Sequence, residues 1–211
     1  MKPIKTLFFL FFYTITLFGQ KPELIIPSGQ NSRILAAKIT PNGKYFLSAA
    51  DDRSIKIYDL KEKKEVYTFW EHENFVDDIA IAPNNRTVVS AADGGEVIIW
   101  DLNTAKVLHR IKKISSPVNS SIAIHPNGKT FLVANDGYVC EYDLLSGKLL
   151  TEEEQYHDIP INKMGYIKKG AEFYLSARDN SKLDTLWNFT QNKTVEKEII
   201  KSSYWTTALY Q

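Results

Sequence analysis

The sequence predicts an all-β protein made of repeated units of four antiparallel strands, and two observations carry that prediction. A short strand motif recurs as IKIYDL, VIIWDL and VCEYDL, ending at Leu60, Leu102 and Leu144, which are 42 residues apart each time. After the first twenty residues, no stretch shows the 3.6-residue apolar spacing of an amphipathic helix. A fixed period of this length indicates a repeat architecture.

Each unit contains four short strands separated by residues that favour turns. In the second unit, residues 78–81 alternate in polarity, Pro-Asn-Asn at 83–85 turns the chain, and the β-branched run 87–92 follows. Asp-Gly-Gly at 93–95 predicts a tight hairpin into VIIWDL, and residues 103–106 turn into a fourth strand. The units span about 34–69, 76–111, 118–151 and 161–200, and the first strand of a fifth begins at about 204.

These motifs resemble the WD40-repeat β-propeller family, particularly its exported bacterial type. The resemblance rests on the Tyr/Trp-Asp-Leu strand ends, the TPNG, APNN and HPNG turns, and the hairpin SAADDRSIKIYD. Four strands per period is also the spacing of a propeller blade. The resemblance implies structural roles within the blades for ten residues, namely Asp52, Tyr58, Asp59, His72, Trp100, Asp101, Asp136, Tyr142, Asp143 and His157.

The resemblance further implies a buried His–Asp–Ser–Trp hydrogen-bond network in each blade. The hairpin aspartate is present as Asp52 in unit one and Asp136 in unit three, but unit two has Gly94 there, with Asp93 one residue earlier. Unit three has no histidine at its opening position, near Ser115. We therefore expect the network to be incomplete in every blade, and blade stability to depend on apolar packing.

The first twenty residues have the composition of a secretory signal peptide. Lys2 and Lys5 precede an apolar run from Leu7 to Phe18, which small Gly19 follows. That run is short for a membrane span, which needs roughly 20 apolar residues. The sequence thus predicts a leader at 1–20, a propeller at 21–211, and a periplasmic or extracellular product with no membrane insertion after cleavage. An uncleaved membrane anchor is the alternative.

Composition and charge exclude several classes of function. The formal net charge is +1, and removing the two leader lysines leaves 24 basic and 25 acidic residues, so nothing indicates a nucleic-acid partner. The single cysteine, Cys140, permits no intrachain disulfide. No pair of the four histidines has metal-ligand spacing, and no nucleophile or phosphate-loop motif occurs. We predict no cofactor, no metal and no catalytic residue.

The function that fits these features is a non-enzymatic scaffold for protein partners. The strands would hold fixed the loops that open the blades, and the candidate contact residues in those loops are Gln30, Arg33, Glu73, Phe75, Ser115, Val118, Asp158 and Pro160.

Because the fifth unit begins near 204, the sequence also suggests the N-terminal part of a longer protein. One alternative is the regulatory half of an envelope enzyme, such as a caspase-like peptidase, with its catalytic module beyond Gln211. A small-ligand or metal site in the propeller channel is a minor alternative.

Overall fold

The computed structural model of this chain describes residues 32–112, 120–135, 138–151, 154–155, 161–167, 172–178, 184–190 and 193–200. These residues form strands and turns and contain no helix, and the strands pair into four-stranded antiparallel sheets. The predicted fold class, an all-β chain of four-stranded blades, is confirmed. The leader and the expected fifth unit lie outside the described residues, as do Gln30, Ser115, Val118, Asp136, His157, Asp158 and Pro160.

Each of the four sheets is one blade, with its strands side by side in chain order. Blade 1 contains β1 (Ile34–Ile39), β2 (Tyr45–Ala50), β3 (Ile55–Asp59) and β4 (Lys64–Phe69). Blade 2 contains β5 (Val76–Ile81), β6 (Thr87–Ala92), β7 (Glu96–Asp101) and β8 (Lys106–Ile111). Blade 3 contains β9 (Ser121–Ile124), β10 (Thr130–Asn135), β11 (Tyr138–Asp143) and β12 (Glu154–Gln155). Blade 4 contains β13 (Ile161–Ile167), β14 (Glu172–Arg178), β15 (Asp184–Thr190) and β16 (Lys193–Ile200).

Consecutive blades contact one another through their first strands. β1 packs beside β5, β5 beside β9, and β9 beside β13. The pairing of β1 with β2 shifts register at Ile34/Ala36, and that of β5 with β6 shifts at the matching place, Val76/Asp78. A bulge of this kind bends and twists a strand locally. The first strand is therefore the inner edge of each blade, and the fourth strand is its outer edge.

The apolar core lies between consecutive blades, where the facing surfaces of neighbouring sheets pack together. Blades 1 and 2 share a cluster in which Phe69 stacks on Trp100, with ring centroids 4.4 Å apart and planes 13° apart. Blades 2 and 3 share a second cluster, which contains the buried Cys140 and the stacked rings of Phe131 and Tyr142. A third cluster joins blade 3 to Leu175 and its neighbours in blade 4. Large aromatic side chains dominate the energetics of such interfaces.

The turn between the third and fourth strands needs a positive φ at the same position in blades 1 to 3. The residues there are Lys63, Ala105 and Gly147, with φ of 53°, 53° and 67°. A residue with a Cβ loses roughly 1–2 kcal/mol in this conformation, whereas glycine does not. Blade 3 thus has the residue that its turn prefers, and blades 1 and 2 do not.

We expect Ala105→Gly to stabilise the protein by about 0.5–1 kcal/mol, since relief of backbone strain exceeds the extra entropy that glycine adds to the unfolded chain. Urea unfolding followed by tryptophan fluorescence measures the change. Gly147→Ala is the matched control and should destabilise, because a Cβ there would lie 3.1 Å from the Cβ of His109. A loss of stability in Ala105→Gly would contradict the assignment of strain to this turn.

Candidate interaction face

The blades have two loop-bearing ends, and backbone hydrogen bonds show which loops share each end. Asp51 donates its N–H to the carbonyl of Arg33, and Asp93 donates to the carbonyl of Phe75. In blades 1 and 2 the segment that enters the blade therefore lies beside the hairpin between the second and third strands, and we call this end the opening face. At the other end, the turn face, Leu102 donates to the carbonyl of Arg86.

The aspartates that end the third strands cap turns on the turn face. Asp101 Oδ1 accepts the N–H groups of Asn103 and Thr104 at 2.9 and 3.0 Å, and its other oxygen pairs with Arg86. Asp59 and Asp143 accept equivalent bonds from the turns that follow them. Burial disfavours the charged form of Asp101, but the bonds from Arg86 and Thr104 outweigh it and lower its pKa. These aspartates therefore fix turn geometry.

A buried hydrogen-bond network connects the opening face to the core of blade 2. The Nδ1 atom of His72 lies 2.9 Å from Glu96 Oε2, and its Nε2 lies 2.6 Å from Ser90 Oγ. Trp100 donates its indole N–H to the same hydroxyl at 3.3 Å. Because an ionised carboxylate only accepts, the proton of a neutral His72 is on Nδ1 and Ser90 donates to Nε2. Every polar atom in this chain of contacts thus has a suitable partner.

Glu96 corrects the expectation that the network is incomplete in every blade. In blade 2 the carboxylate comes from the first residue of β7 rather than from the hairpin position held by Gly94. The longer glutamate side chain reaches His72 from there, and only 9% of Glu96 is exposed. The apparent gap in the sequence motif is therefore filled by a residue two positions further along the chain.

Arg110, on the outer strand β8, binds both Glu96 of this network and the segment that enters blade 2. Its guanidinium pairs with Glu96 and donates to both the backbone carbonyl of Glu71 at 2.9 Å and the Glu71 carboxylate at 3.0 Å. Burial alone would raise the pKa of Glu96, but hydrogen bonds from His72 and Arg110 lower it to about 2. The connector between blades 1 and 2 comprises residues 70–75. Side chains of blade 2 therefore fix it at two adjacent residues, Glu71 and His72.

Two large aromatic side chains on this connector face solvent. Trp70 is 60% exposed and Phe75 is 49% exposed, while His72 between them is buried. Phe75 is among the predicted contact residues, whereas Trp70, which directly follows strand β4, is not. Its position one residue beyond the buried Phe69 is the signal that could have identified it, since alternate strand residues point to opposite sides.

The other two predicted contact residues within the described part of the chain, Arg33 and Glu73, are also on the opening face. Arg33 is exposed and pairs with Asp51 at 3.4 Å, and Glu73 pairs with Lys112 at 3.5 Å. Asp52 accepts the N–H and hydroxyl of Ser54 at 3.0 and 2.6 Å, which closes its hairpin. The structure thus brings Arg33, Glu73 and Phe75 to one end of the molecule.

The inner strands are joined across three blades by a second polar network. Asp78, in β5, accepts the hydroxyl of Ser121 at 3.1 Å and the N–H of Ile122 at 3.2 Å. Ser121 in turn accepts the N–H of Met164, in β13, at 3.2 Å. Lys163 lies 3.3 Å from the Asp78 carboxylate. The side chain of Asp78 is almost fully buried between the blades.

Asp77, beside this network, is in an unfavourable electrostatic environment. Burial, together with the charges of Asp93 and Asp78, raises its pKa to about 6, although the N–H of Ser120 and the charge of Lys163 act in the opposite direction. A carboxyl group whose pKa is raised on folding destabilises the folded state at pH values above its unfolded pKa. Asp77 therefore opposes folding at neutral pH.

Asp77→Asn is expected to raise the free energy of unfolding at pH 7 to 8, because it removes the buried charge while keeping an oxygen to accept from Ser120. The gain should shrink as the pH falls from about 6 to below 4, where Asp77 itself becomes protonated. Thermal unfolding at a series of pH values measures this. Asp59→Asn is a suitable control and should show the opposite sign, because hydrogen bonds from the turn lower the pKa of Asp59.

The described residues contain no cluster of three or more His, Cys, Asp or Glu that could hold a metal ion. Within the same part of the chain, no helix has the length and apolar character needed to cross a membrane.

Comparison with known proteins agrees with this architecture. Residues 21–59 and 63–101 each match the family model described as WD domain, G-beta repeat, and these two stretches are WD40 repeats. The nuclear distribution protein PAC1 of Meyerozyma guilliermondii is 37% identical to this chain over 61 residues. That similarity covers 26% of this chain and 12% of the relative, so the chain spans only a small part of the fungal protein's length.

Proposed function

We propose that this protein is a non-enzymatic scaffold that binds another protein through the opening face of its blades. WD40 repeats generally serve as interaction platforms, and their rigid sheets hold loops in place for a partner. The observation that carries the proposal is the connector between blades 1 and 2. It exposes Trp70 and Phe75 within six residues, while Arg110 and the buried His72 fix its backbone.

This arrangement has the properties of a binding hot spot. Tryptophan and other aromatic residues supply large contact area, and a side chain held by a rigid backbone loses little entropy when a partner binds. Glu71 and Glu73, whose carboxylates pair with Arg110 and Lys112, lie between the two aromatic residues in the sequence. A partner would therefore bury the aromatic rings at the centre of the contact and meet the charges at its rim.

We further propose that the protein acts outside the cytoplasm, in the periplasm or at the cell surface. The support is the order of basic, apolar and small residues within positions 1–20. Mass spectrometry of the protein from fractionated cells tests this proposal. An N-terminus near Lys21 in the exported fraction would support it, and an intact Met1 in the cytoplasm would overturn it.

Site-specific photo-cross-linking tests the scaffold proposal. A photoreactive amino acid at position 75 should yield a discrete cross-linked protein in cells, while the same group at Leu145, which is 87% exposed on the turn face, should not.

The captured protein is then purified and its affinity measured by calorimetry. We expect Trp70→Ala and Phe75→Ala each to weaken binding by at least about tenfold, as at a hot spot. Equal affinity for the variants and the unaltered protein would overturn the proposal.

A further inference from the structure

The turn face of blades 1 to 3 is one continuous surface. Each of these blades contributes the turn between its first and second strands and the turn between its third and fourth strands. The six turns comprise residues 40–44, 59–64, 82–86, 101–106, 125–129 and 143–148. Turns of neighbouring blades touch, since the N–H of Asn42 donates to Asn85 Oδ1 at 2.7 Å and a Cβ on Gly128 would lie 3.6 Å from Pro83. A partner that covers this end therefore contacts several blades at once.

The turn face is basic, although the formal net charge of the whole chain is only +1. The basic side chains of its six turns are all exposed, and they are Lys44, Lys61, Lys63, Lys64, Arg86, Lys106, Lys129 and Lys148. Of the acidic residues in the same turns, Glu62 alone is exposed, whereas Asp59, Asp101 and Asp143 are partly or fully buried and accept hydrogen bonds from their turns. The surface presented to solvent is therefore cationic.

The opening face of blades 1 and 2 has the opposite charge balance. Acidic residues in its hairpins and entering segments include Asp51, Asp52, Glu71, Glu73, Asp77 and Asp93. Basic residues there include Arg33, Arg53 and Lys112. Charge is thus distributed unequally between the two ends of the blades, so the two faces should select partners of different charge.

Exposed aliphatic side chains accompany the lysines of the turn face. A lysine at the end of the turn before the outer edge is followed two residues later by a half-exposed aliphatic residue, and the three pairs are Lys64 and Val66, Lys106 and Leu108, and Lys148 and Leu150. Residues two apart in an extended strand are separated by about 7 Å. The basic surface is therefore bordered by apolar side chains in each of the three blades.

Leu145 is the most exposed of these aliphatic residues, at 87%, and its backbone is held in place. Its carbonyl accepts a hydrogen bond from His109 Nε2 at 2.8 Å. Within the same turn, Asp143 Oδ1 accepts both the N–H and the hydroxyl of Ser146, each at 2.7 Å. An apolar side chain on a fixed backbone loses little entropy when a partner covers it.

We propose that the turn face of blades 1 to 3 binds an anionic lipid surface, in which the lysines contact headgroup phosphates and Leu145 enters the headgroup layer. Lysines close to an anionic bilayer attract it electrostatically, and exposed aliphatic side chains add affinity because they leave water. This peripheral contact goes beyond the proposed scaffold function, since it uses the end of the blades opposite the opening face.

The composition of the turn face favours lipid over other anionic partners. Interfaces between proteins are depleted in lysine, and leucine is under-represented among their hot spots. Single-stranded nucleic acids are bound by stacking of bases on aromatic side chains, and the six turns contain no Phe, Tyr or Trp. Lysine beside aliphatic residues is instead the combination found on elements that lie at a membrane interface.

Co-sedimentation of the full chain with vesicles tests this proposal. The chain should bind vesicles of equal parts phosphatidylglycerol and phosphatidylcholine in physiological salt. Lys106→Glu combined with Lys148→Glu should weaken this binding by at least about tenfold, because it reverses two charges that face the lipid. Leu145→Ser should weaken it by about threefold or more, because it removes the apolar side chain that enters the headgroup layer. All three side chains are exposed, so the far-ultraviolet circular dichroism of both variants should match that of the unaltered chain.

The matched control is Arg53→Glu combined with Lys112→Glu, which makes the same change of charge on the opening face. Its vesicle affinity should fall by less than about threefold, because in this salt charges are screened beyond about 8 Å. A polarity-sensitive fluorophore gives a second measurement. On adding vesicles, its emission should shift to shorter wavelength when it is attached to Asn103→Cys on the turn face, and not when it is attached to Asn74→Cys on the opening face. Residues 1–20 are common to all these chains, so they cannot produce the differences.

Equal vesicle affinity of the Lys106→Glu, Lys148→Glu variant and the unaltered chain would overturn the proposal. An equal loss in the Arg53→Glu, Lys112→Glu control would do the same, because the turn face would then have no special part in binding. A loss from the lysine substitutions, with no effect of Leu145→Ser and no shift of the fluorophore at position 103, would also overturn it. Charge alone would then be the attraction, as expected for a nucleic acid or an acidic protein.

Discussion

Trp100→Ala is expected to lower the free energy of unfolding by about 3–5 kcal/mol, the cost of removing a large buried aromatic side chain. Trp100 is fully buried, stacks on Phe69 of the neighbouring blade, and donates its N–H to Ser90. The substitution would leave a cavity at the contact between blades 1 and 2, and it would remove one donor from the buried network. Urea denaturation followed by far-ultraviolet circular dichroism measures the loss.

Two further variants make the result specific. Trp70→Ala removes the same type of side chain from a site that is 60% exposed, so stability should change by no more than about 0.5 kcal/mol. Trp100→Phe keeps an aromatic ring against Phe69 and should cost less than Trp100→Ala. A loss below about 1 kcal/mol for Trp100→Ala, typical of surface positions, would contradict the packing described for blades 1 and 2.

Glu96→Ala is expected to cost about 3–5 kcal/mol, the range measured when one member of a buried ion pair is removed. The substitution would leave the Nδ1 proton of His72 without its acceptor and would free Arg110 from its buried anchor. Differential scanning calorimetry at pH 7 measures the change. Glu71→Gln is the control, since the Glu71 carboxylate is half-exposed and its pair with Arg110 should contribute no more than about 1 kcal/mol.

Glu96 also makes the free energy of unfolding depend on pH in the acid range. The pKa of Glu96 is about 2 in the folded protein and 4.5 in the unfolded chain, so its contribution to stability is fully present above pH 4.5. That contribution is lost as the pH falls from about 4.5 towards 2, because protonation breaks the charged contacts. Glu96→Gln should flatten the stability profile over this range and leave the slope above pH 5 unaltered. An unchanged acid profile would show that the pKa of Glu96 is the same in the folded and unfolded states, which would contradict this pH dependence.

The repeat and its turns were predictable because they depend on local chemistry. Pro-Asn-Gly turns, Asp-Gly hairpins and β-branched runs act through neighbouring residues, and the 42-residue period places them in phase. The capping role of Asp101 also depends on residues two and three positions away. Such features can be derived from one sequence without knowledge of packing between blades.

The interactions that the sequence did not reveal join residues that are far apart in the chain. Glu96 was overlooked because the family motif places an aspartate at the hairpin, and a longer side chain starting two residues later meets the same histidine. Arg110 contacts Glu71 across 39 positions, and Asp78 contacts Ser121 across 43. These partners can be identified only when the register of the paired strands and the face of the sheet on which each side chain lies are known.

The polar network of Asp78, Ser121 and Met164 has a consequence for how the molecule comes apart. Since one hydroxyl donates to blade 2 and accepts from blade 4, separating blade 3 from either neighbour breaks a hydrogen bond of the same Ser121 side chain. In a linear array, stability then resides in the contacts between units more than in the units themselves. Blades 2 to 4 should therefore lose structure as a single cooperative block, with exchange of their inner-strand amides governed by the same opening event.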